Sequence, residues 1–291
     1  MTSRALQLRQ TMAADGLAHV MSAHNPLSAR LAEEAGFDGI WASGFELSAS
    51  LGLADVSLVS MTQHLDMVRA MAAQTALPLV ADIDTGFGNA VNVVYAVDQY
   101  ERAGAAAVVI EDKSFPKVTS LLAGGRQDLV RIDEFQGKID AACKTRKNPD
   151  LLVVARTEAL IAGLGQSEAL TRARAYEAAG ADMILVHSKS RTPDEIESFV
   201  KAWDGRAPIV IVPTAYPEMN AERIGKLGKI AMVIYGNHAI RAAVTAMQDV
   251  FAAIRRDGGI HNVDKRIVTV EEIFRLQRMD EIKRLEQLYL R

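Results

Sequence analysis

The sequence predicts a (β/α)8 barrel, and three observations carry that expectation. Short apolar runs recur eight times along the chain, each followed by a helix-like segment. The runs are apolar throughout and do not alternate, as expected of parallel strands covered on both faces. The 291 residues are 49% hydrophobic but only 5% aromatic, which suits β-branched strands layered under Ala-rich helices in one large domain. An open doubly wound sheet is the alternative, and no Gly-rich dinucleotide fingerprint follows the first run to support it.

The first run, LAHVMSA (17–23), leads into PLSARLAEEAG, and the second, FDGIWAS (37–43), reaches its helical segment TQHLDMVRAMAAQ after a loop. LPLVADIDTG (77–86) precedes NVVYAVDQYERAGA, and AAVVIED (106–112) precedes a long loop and then IDEFQGKIDAACK. LLVVART (151–157), DMILVHS (182–188), APIVIVPT (207–214) and IAMVIYG (230–236) each continue into a further helical pattern. Thr192-Pro193-Asp194-Glu195 reads as an N-cap with proline at the first helical position. The repeated AGF and AGA after helical segments supply the glycine that ends a helix. GGIHNVDKRI reads as a turn region, after which Thr269-Val270-Glu271-Glu272 opens a last helix with a capping-box pattern. Its stripe of Ile273, Leu276, Met279, Ile282, Leu285 and Leu288 has no place inside a closed barrel, so it is expected on the barrel's outside or on a neighbouring subunit. The expected organisation is a single barrel domain over 1–291, with 259–291 as a C-terminal helical extension.

Composition narrows the function. The net charge is −3, from 33 basic and 36 acidic residues, and no basic block suggests nucleic acid or a membrane surface. Cys143 is the only cysteine, so neither an internal disulfide nor a cysteine-based zinc site can form. No apolar run reaches the ~18 residues of a membrane span, and MTSRALQLRQ lacks the apolar core of a signal peptide. A cytoplasmic protein acting on a small molecule is expected.

In such a barrel the chemistry lies at the C-terminal ends of the strands. There the sequence places Trp41, Ser43, Gly44 and Phe45 after the second strand, and Asp82 and Asp84 at the end of the third. Glu111 and Lys113 follow from the fourth, Arg156 from the fifth, His187 from the sixth, and Asn237-His238 from the eighth; Asp55 lies on the second loop. Each acid taken singly reads as a helix cap or a solvated loop residue. Asp55, Asp82, Asp84 and Glu111 together would repel one another without a cation between them. An all-carboxylate set points to Mg²⁺ or Mn²⁺, with one direct ligand and the other acids on its waters. Asp82, inside its strand, is the expected direct ligand. Arg156 suits a phosphate, phosphonate or carboxylate and His187 adds a donor; their bland alternatives are an ion pair to Glu158 or to one of the acids, and a core histidine. Ser43-Gly44 would offer two backbone N–H groups and a hydroxyl.

The set W-x-S-G-F (41–45), D-I-D-T-G-F-G (82–88), E-D-K-x-x-P-K (111–117), A-R-T-E-A (155–159) and V-H-S-K (186–189) resembles the isocitrate lyase/phosphoenolpyruvate mutase superfamily. The resemblance extends to the terminal IFRLQR (273–278). It implies a barrel whose eighth helix swaps between paired subunits, a homotetramer, and a 2-oxo acid or enolate bound with Mg²⁺, for which Mn²⁺ or Co²⁺ could substitute. The family's lyases carry K-x-C-G-H in the loop after the fourth strand; here that loop reads Lys117-Val118-Thr119-Ser120, and Cys143 lies on a helix leading away. Lyase activity is therefore disfavoured. The loop is similar to that of the branch acting on phosphonopyruvate, and Thr119 stands where its mutases carry Asn. That position resembles the branch's hydrolases and implies cleavage of the P–C bond of phosphonopyruvate to pyruvate and phosphate through a metal-stabilised enolate. Interconversion of phosphoenolpyruvate and phosphonopyruvate is the alternative, and decarboxylation of a 2-oxo acid such as oxaloacetate a further one. On this reading Thr119, Lys117, Arg156 and His187 are catalytic, and Trp41, Ser43, Gly44, Phe45, Arg156 and His187 bind substrate. Residues 113–130 would form a lid hinged at Gly124-Gly125.

Overall fold

The computed structural model describes residues 3–291. Helix α1 (Arg4–Asp15) precedes β1 (Ala18–Ala23), α2 (Pro26–Glu34) and β2 (Gly39–Ala42). The short α3 (Gly44–Ser50) and α4 (Met61–Gln74) lead to β3 (Leu79–Asp82), α5 (Ala90–Arg102) and β4 (Ala105–Glu111). Then come α6 (Ile132–Thr145), β5 (Leu152–Thr157), α7 (Gly165–Ala178), β6 (Met183–Val186) and α8 (Asp194–Ala202). The barrel ends with β7 (Ile209–Ile211), α9 (Ala221–Leu227) and β8 (Ile230–Tyr235). The eight strands form one closed parallel barrel in chain order, and β8 pairs with β1 from Ala18↔Met232 to Met21↔Tyr235. Each expected apolar run holds a strand.

Side chains alternate between the two strand faces, and the two faces bury separate cores. Val20, Val80, Val109, Val154, Leu185, Val210 and Met232 fill the interior. Ile40, Ala81, Val108, Ala155, Ile184, Ile211 and Val233 face the helices. Ala5 and Leu8 of α1 join the interior set, so this unanticipated helix packs into the interior core. The interior parity has a consequence for function. Trp41, Asp82, Glu111, Arg156 and His187 share it with Val80, Val109, Val154 and Leu185. The interior row stays apolar along the strand and turns polar at the C-terminal end.

Three local expectations need correction. Helix α8 begins at Asp194, with Pro193 at the N-cap position and no side-chain cap; the Thr192 hydroxyl instead donates to the Asp194 carboxylate at 2.9 Å. Thr269 does cap its helix through Glu272 N–H, but the single terminal helix is two. Arg278 takes a left-handed φ of 56°, which breaks the intrahelical ladder between α12 (Val270–Leu276) and α13 (Met279–Tyr289). Part of the supposed turn region is itself helical, as α11 (His261–Asp264). The glycines after α2, α5 and α7 behave as expected: Gly36, Gly104 and Gly180 have φ of 83°, 90° and 105°.

The chain divides into two compact units, the first ending at Ile240 and the second Arg241–Arg291. The second holds most of α10 (His238–Asp257) together with α11, α12 and α13. Within it, Val244, Met247 and Phe251 are exposed at helical spacing on α10, Phe251 by 63%.

Candidate active site

At the C-terminal end of the barrel lies a cavity of about 140 Å³. Trp41, Ser43, Phe45, Asp55 and Asp82 line one part of it; Lys117, Thr119, Arg156 and His187 line the rest. Nine of the twelve expected site residues therefore meet in one place. Gly44 and Asp84 lie in an adjoining crevice that shares Asp55 and Asp82. A side chain at residue 44 would stand 3.3 Å from Asp84 Oδ1 and 3.5 Å from Asp82 Oδ2, so glycine here keeps the backbone close to both acids without crowding them.

Helix α3 builds the first wall. Ser43 is its N-cap and accepts from Glu46 N–H at 3.1 Å. The expected donor pair shifts by one residue: the Ser43 N–H donates to Ala23 O at 3.4 Å, which leaves Gly44 and Phe45 as the first-turn amides without an intrahelical acceptor. Glu46, fully buried, anchors this wall. It accepts from Ser22 Oγ at 2.7 Å and Ile240 N–H at 3.1 Å, and lies 3.0 Å from His24 Nδ1.

The acids converge, and a lysine stands among them. Lys117 Nζ lies 2.7 Å from Asp84, 3.2 Å from Asp55 and 3.9 Å from Glu111. Burial pulls its pKa down, but Asp84, Glu111 and Asp55 outweigh that and hold it well above the ordinary value. Burial pushes Asp84 up to about 6 against the pull of Lys117, and raises Asp82 likewise. Lys117, expected on a loop over the site, thus reaches into the acid set itself. Among the described residues no three His, Cys, Asp or Glu close into a metal cage. Both carboxylate oxygens of Glu111 are buried without a hydrogen bond. Water ligands of a hydrated divalent cation would supply the donors they lack, so the residues present fit one direct ligand with water-mediated support.

The opposite wall centres on Glu158, a fully buried residue that sequence reasoning treated only as a partner for Arg156. Glu158 accepts from Arg156 Nε at 2.6 Å and from Ser120 Oγ at 2.5 Å, and lies 3.2 Å from Lys113 Nζ and 3.1 Å from His187 Nδ1. Burial alone would raise its pKa; Arg156, His187 and Lys113 hold it well below the carboxylate range. Arg156 in turn stays above its ordinary pKa because Glu158 and Glu111 outweigh burial. Its Nη2 reaches Ser120 Oγ at 3.0 Å and His187 Nδ1 at 2.9 Å. Burial lowers the pKa of His187, although Glu158 pulls it upward. The wall is a fixed, net-cationic surface made from strand ends and lid together. Thr119 lies on the loop after β4 and lines the same cavity.

Residues 8–255 match the family model of phosphoenolpyruvate phosphomutase. The chain belongs to that family. It is 59% identical to a phosphonopyruvate hydrolase of Variovorax sp. (strain Pal2), over 98% of each chain. It is 45% identical to a phosphoenolpyruvate phosphomutase of Tetrahymena pyriformis, over 99% of this chain and 96% of that one. Among solved structures it superposes on a phosphonopyruvate hydrolase in complex with oxalate and Mg²⁺ with a TM-score of 0.95, at 56% identity and complete coverage of both chains.

Proposed function

We propose that the protein hydrolyses the P–C bond of phosphonopyruvate, releasing pyruvate and phosphate. The observation that carries this reading is Thr119, which faces a small cavity between the acid set and the Arg156–His187 wall. The 59% identity to a phosphonopyruvate hydrolase supports it. The cavity is far below the ~300–1,000 Å³ of drug-sized pockets and suits a three-carbon acid.

Asp82 would hold Mg²⁺, with Asp55, Asp84 and Glu111 on its waters. When bound, the ion supplies Lewis-acid polarisation of the 2-oxo acid. The substrate carboxylate would accept from the Gly44 and Phe45 amides and the Ser43 hydroxyl. Arg156 and His187 would hold the phosphonate oxygens; Arg156 Nη1 and His187 Nε2 have no protein hydrogen bond among the described residues. Glu158 fixes the Arg156 plane, so the cation meets the phosphoryl group already oriented. Thr119 would deliver its hydroxyl to phosphorus or orient the attacking water in line. As the P–C bond breaks, its electron pair passes to pyruvate enolate, which takes a proton at carbon; water's oxygen ends on phosphate. Lys117 would offset the charge of the acids and draw the lid over the site.

Phosphorus and proton NMR on phosphonopyruvate and Mg²⁺ tests the reading. Phosphate and pyruvate in equal amounts are expected. The 45% identity to a phosphomutase makes the second reading specific: phosphoenolpyruvate without phosphate would establish the mutase instead.

The same reading includes a cytoplasmic homotetramer in which the C-terminal helices exchange between subunits. The exposed apolar row Val244, Met247 and Phe251 supports an assembly. Among the described residues no helix is long and apolar enough to cross a membrane.

A further inference from the structure

Lys113 belongs to the loop that covers the cavity, yet it is only 2% exposed. Its ammonium donates to Val118 O at 2.7 Å and to Ser120 Oγ at 2.7 Å, and lies 3.2 Å from Glu158 Oε2. An ammonium has three N–H donors, so these partners use it completely. Two of the three partners, Val118 and Ser120, are the residues on either side of Thr119. The carbonyl of Thr119 itself accepts from Gln127 Nε2 at 3.1 Å. The loop is closed at its base by an isolated antiparallel bridge between Lys113 and Leu129, with Ser114 N–H donating to Asp128 O at 3.0 Å and Val130 N–H to Asp112 O at 2.9 Å.

A solvated loop needs no such device. Burying an ammonium is costly unless its geometry and partners are good, and here they are. The third partner connects the loop to the rest of the site, because Glu158 also holds Arg156 at 2.6 Å. The backbone around Thr119 and the guanidinium on the far side of the cavity are thus tied to one carboxylate.

We propose that Lys113, with Glu158 as its counter-ion, is a positioning residue: it holds the Val118 carbonyl and the Ser120 hydroxyl on either side of Thr119 and so aims the Thr119 hydroxyl into the cavity. The inference rests on the role given to Thr119 above. Misplacement by about 1 Å costs about 10²-fold in rate, so a loosened anchor should be visible in turnover.

The test compares the parent, Lys113→Met, Thr119→Ala and the double variant, full-length and with Mg²⁺, by phosphorus NMR of phosphonopyruvate turnover. Lys113→Met is expected to lower kcat by about 10- to 100-fold while KM moves by less than about threefold. In the Thr119→Ala background the same change should cost little more, because the residue through which it acts is already gone. Losses that multiply, or a parent rate in Lys113→Met, would overturn the proposal. A second readout needs no activity: trypsin should cut after the exposed Arg126 faster in Lys113→Met than in the parent. An unchanged cutting rate would remove the anchor. If the parent itself releases no phosphate, the hydrolase reading fails, and the trypsin comparison still decides the anchor. Should Lys113→Met not fold, Lys113→Gln keeps a donor on an unbranched stem and carries the same comparison.

Discussion

The Lys117 ammonium lies 2.7 Å from the Asp84 carboxylate, with Asp55 at 3.2 Å on another side. A single buried cation therefore offsets several buried acids in the metal-free protein. Removing one partner of a buried pair typically costs about 3–5 kcal/mol, because the remaining charge is stranded. Lys117→Met should lower the melting temperature of the metal-free protein. Added Mg²⁺ should then raise it by more than it raises the parent's, since metal binding would relieve a larger strain. Equal Mg²⁺-induced shifts in the two proteins, followed by calorimetry, would show that Lys117 and the metal do not share the acids.

Metal removal is the companion measurement. Both oxygens of Glu111 lack a hydrogen-bond donor, and burial raises the pKa of Asp82 against the pull of Lys117 and Arg156, so a hydrated cation would supply donors and charge that these acids can use. Stripping with chelator should abolish turnover, and Mg²⁺ or Mn²⁺ should restore it. Full turnover in excess chelator, with metal absent by elemental analysis, contradicts the assignment of the acids.

Thr119 and Arg156 should fail differently. Thr119→Ala should lower kcat by roughly 10²-fold or more with little change in KM, since the carboxylate and phosphonate contacts survive. Arg156→Ala should damage both parameters, because the guanidinium would hold the phosphonate in ground and transition states alike; it also leaves Glu158 with Ser120, Lys113 and His187 alone. Thr119→Ala turning over at the parent rate would refute the role given to its hydroxyl.

The strand ends were legible because one rule places them. Barrel chemistry collects at the C-terminal ends of the strands, which marked Asp82, Glu111 and Arg156 from the sequence alone; the interior parity they share became visible only in the structure, because the strands are apolar on both faces. The reach of lysines could not be. Lys117 sits six residues beyond Glu111, and nothing local says that its stem folds back into the acids. Lys113 was placed at the end of the fourth strand with no partner named; its burial depends on Val118, Ser120 and Glu158, which come together only in the folded loop. Glu158 was visible as an ion-pair partner for Arg156, but its other three contacts come from the lid and β6, distant in sequence. Likewise Ser43 N–H was an expected donor to substrate until the neighbouring β1 supplied Ala23 O.

His64 gives a pH prediction. It is buried, with Nε2 3.1 Å from Ala42 O and Nδ1 2.7 Å from Tyr100 Oη. The carbonyl can only accept, so Nε2 carries the proton and Nδ1 accepts from the tyrosine. Burial lowers its pKa from 6.5. The unfolded chain then binds the proton that the native state refuses, so this contribution is complete above 6.5 and is lost as pH falls below it. His64→Gln should be less stable than the parent near about pH 8, and the gap should narrow toward about pH 5. A gap that is constant across this range by thermal melting means that His64 is not held neutral.

The last prediction concerns assembly. Val244, Met247 and Phe251 repeat at spacings of three and four residues on α10, which places them on one helical face. Phe251 is 63% exposed. An exposed residue of a monomer tolerates substitution to within about 0.5 kcal/mol. A residue that anchors an interface does not, and aromatic side chains are prominent among such anchors. The full chain should therefore scatter light as a tetramer at micromolar concentration. Phe251→Glu should shift it to smaller species, because the new charge would be desolvated against an apolar partner. A parent of 31.6 kDa by light scattering contradicts the assembly outright. A Phe251→Glu protein that remains a tetramer of parental stability would show that this face of α10 is not where the subunits meet.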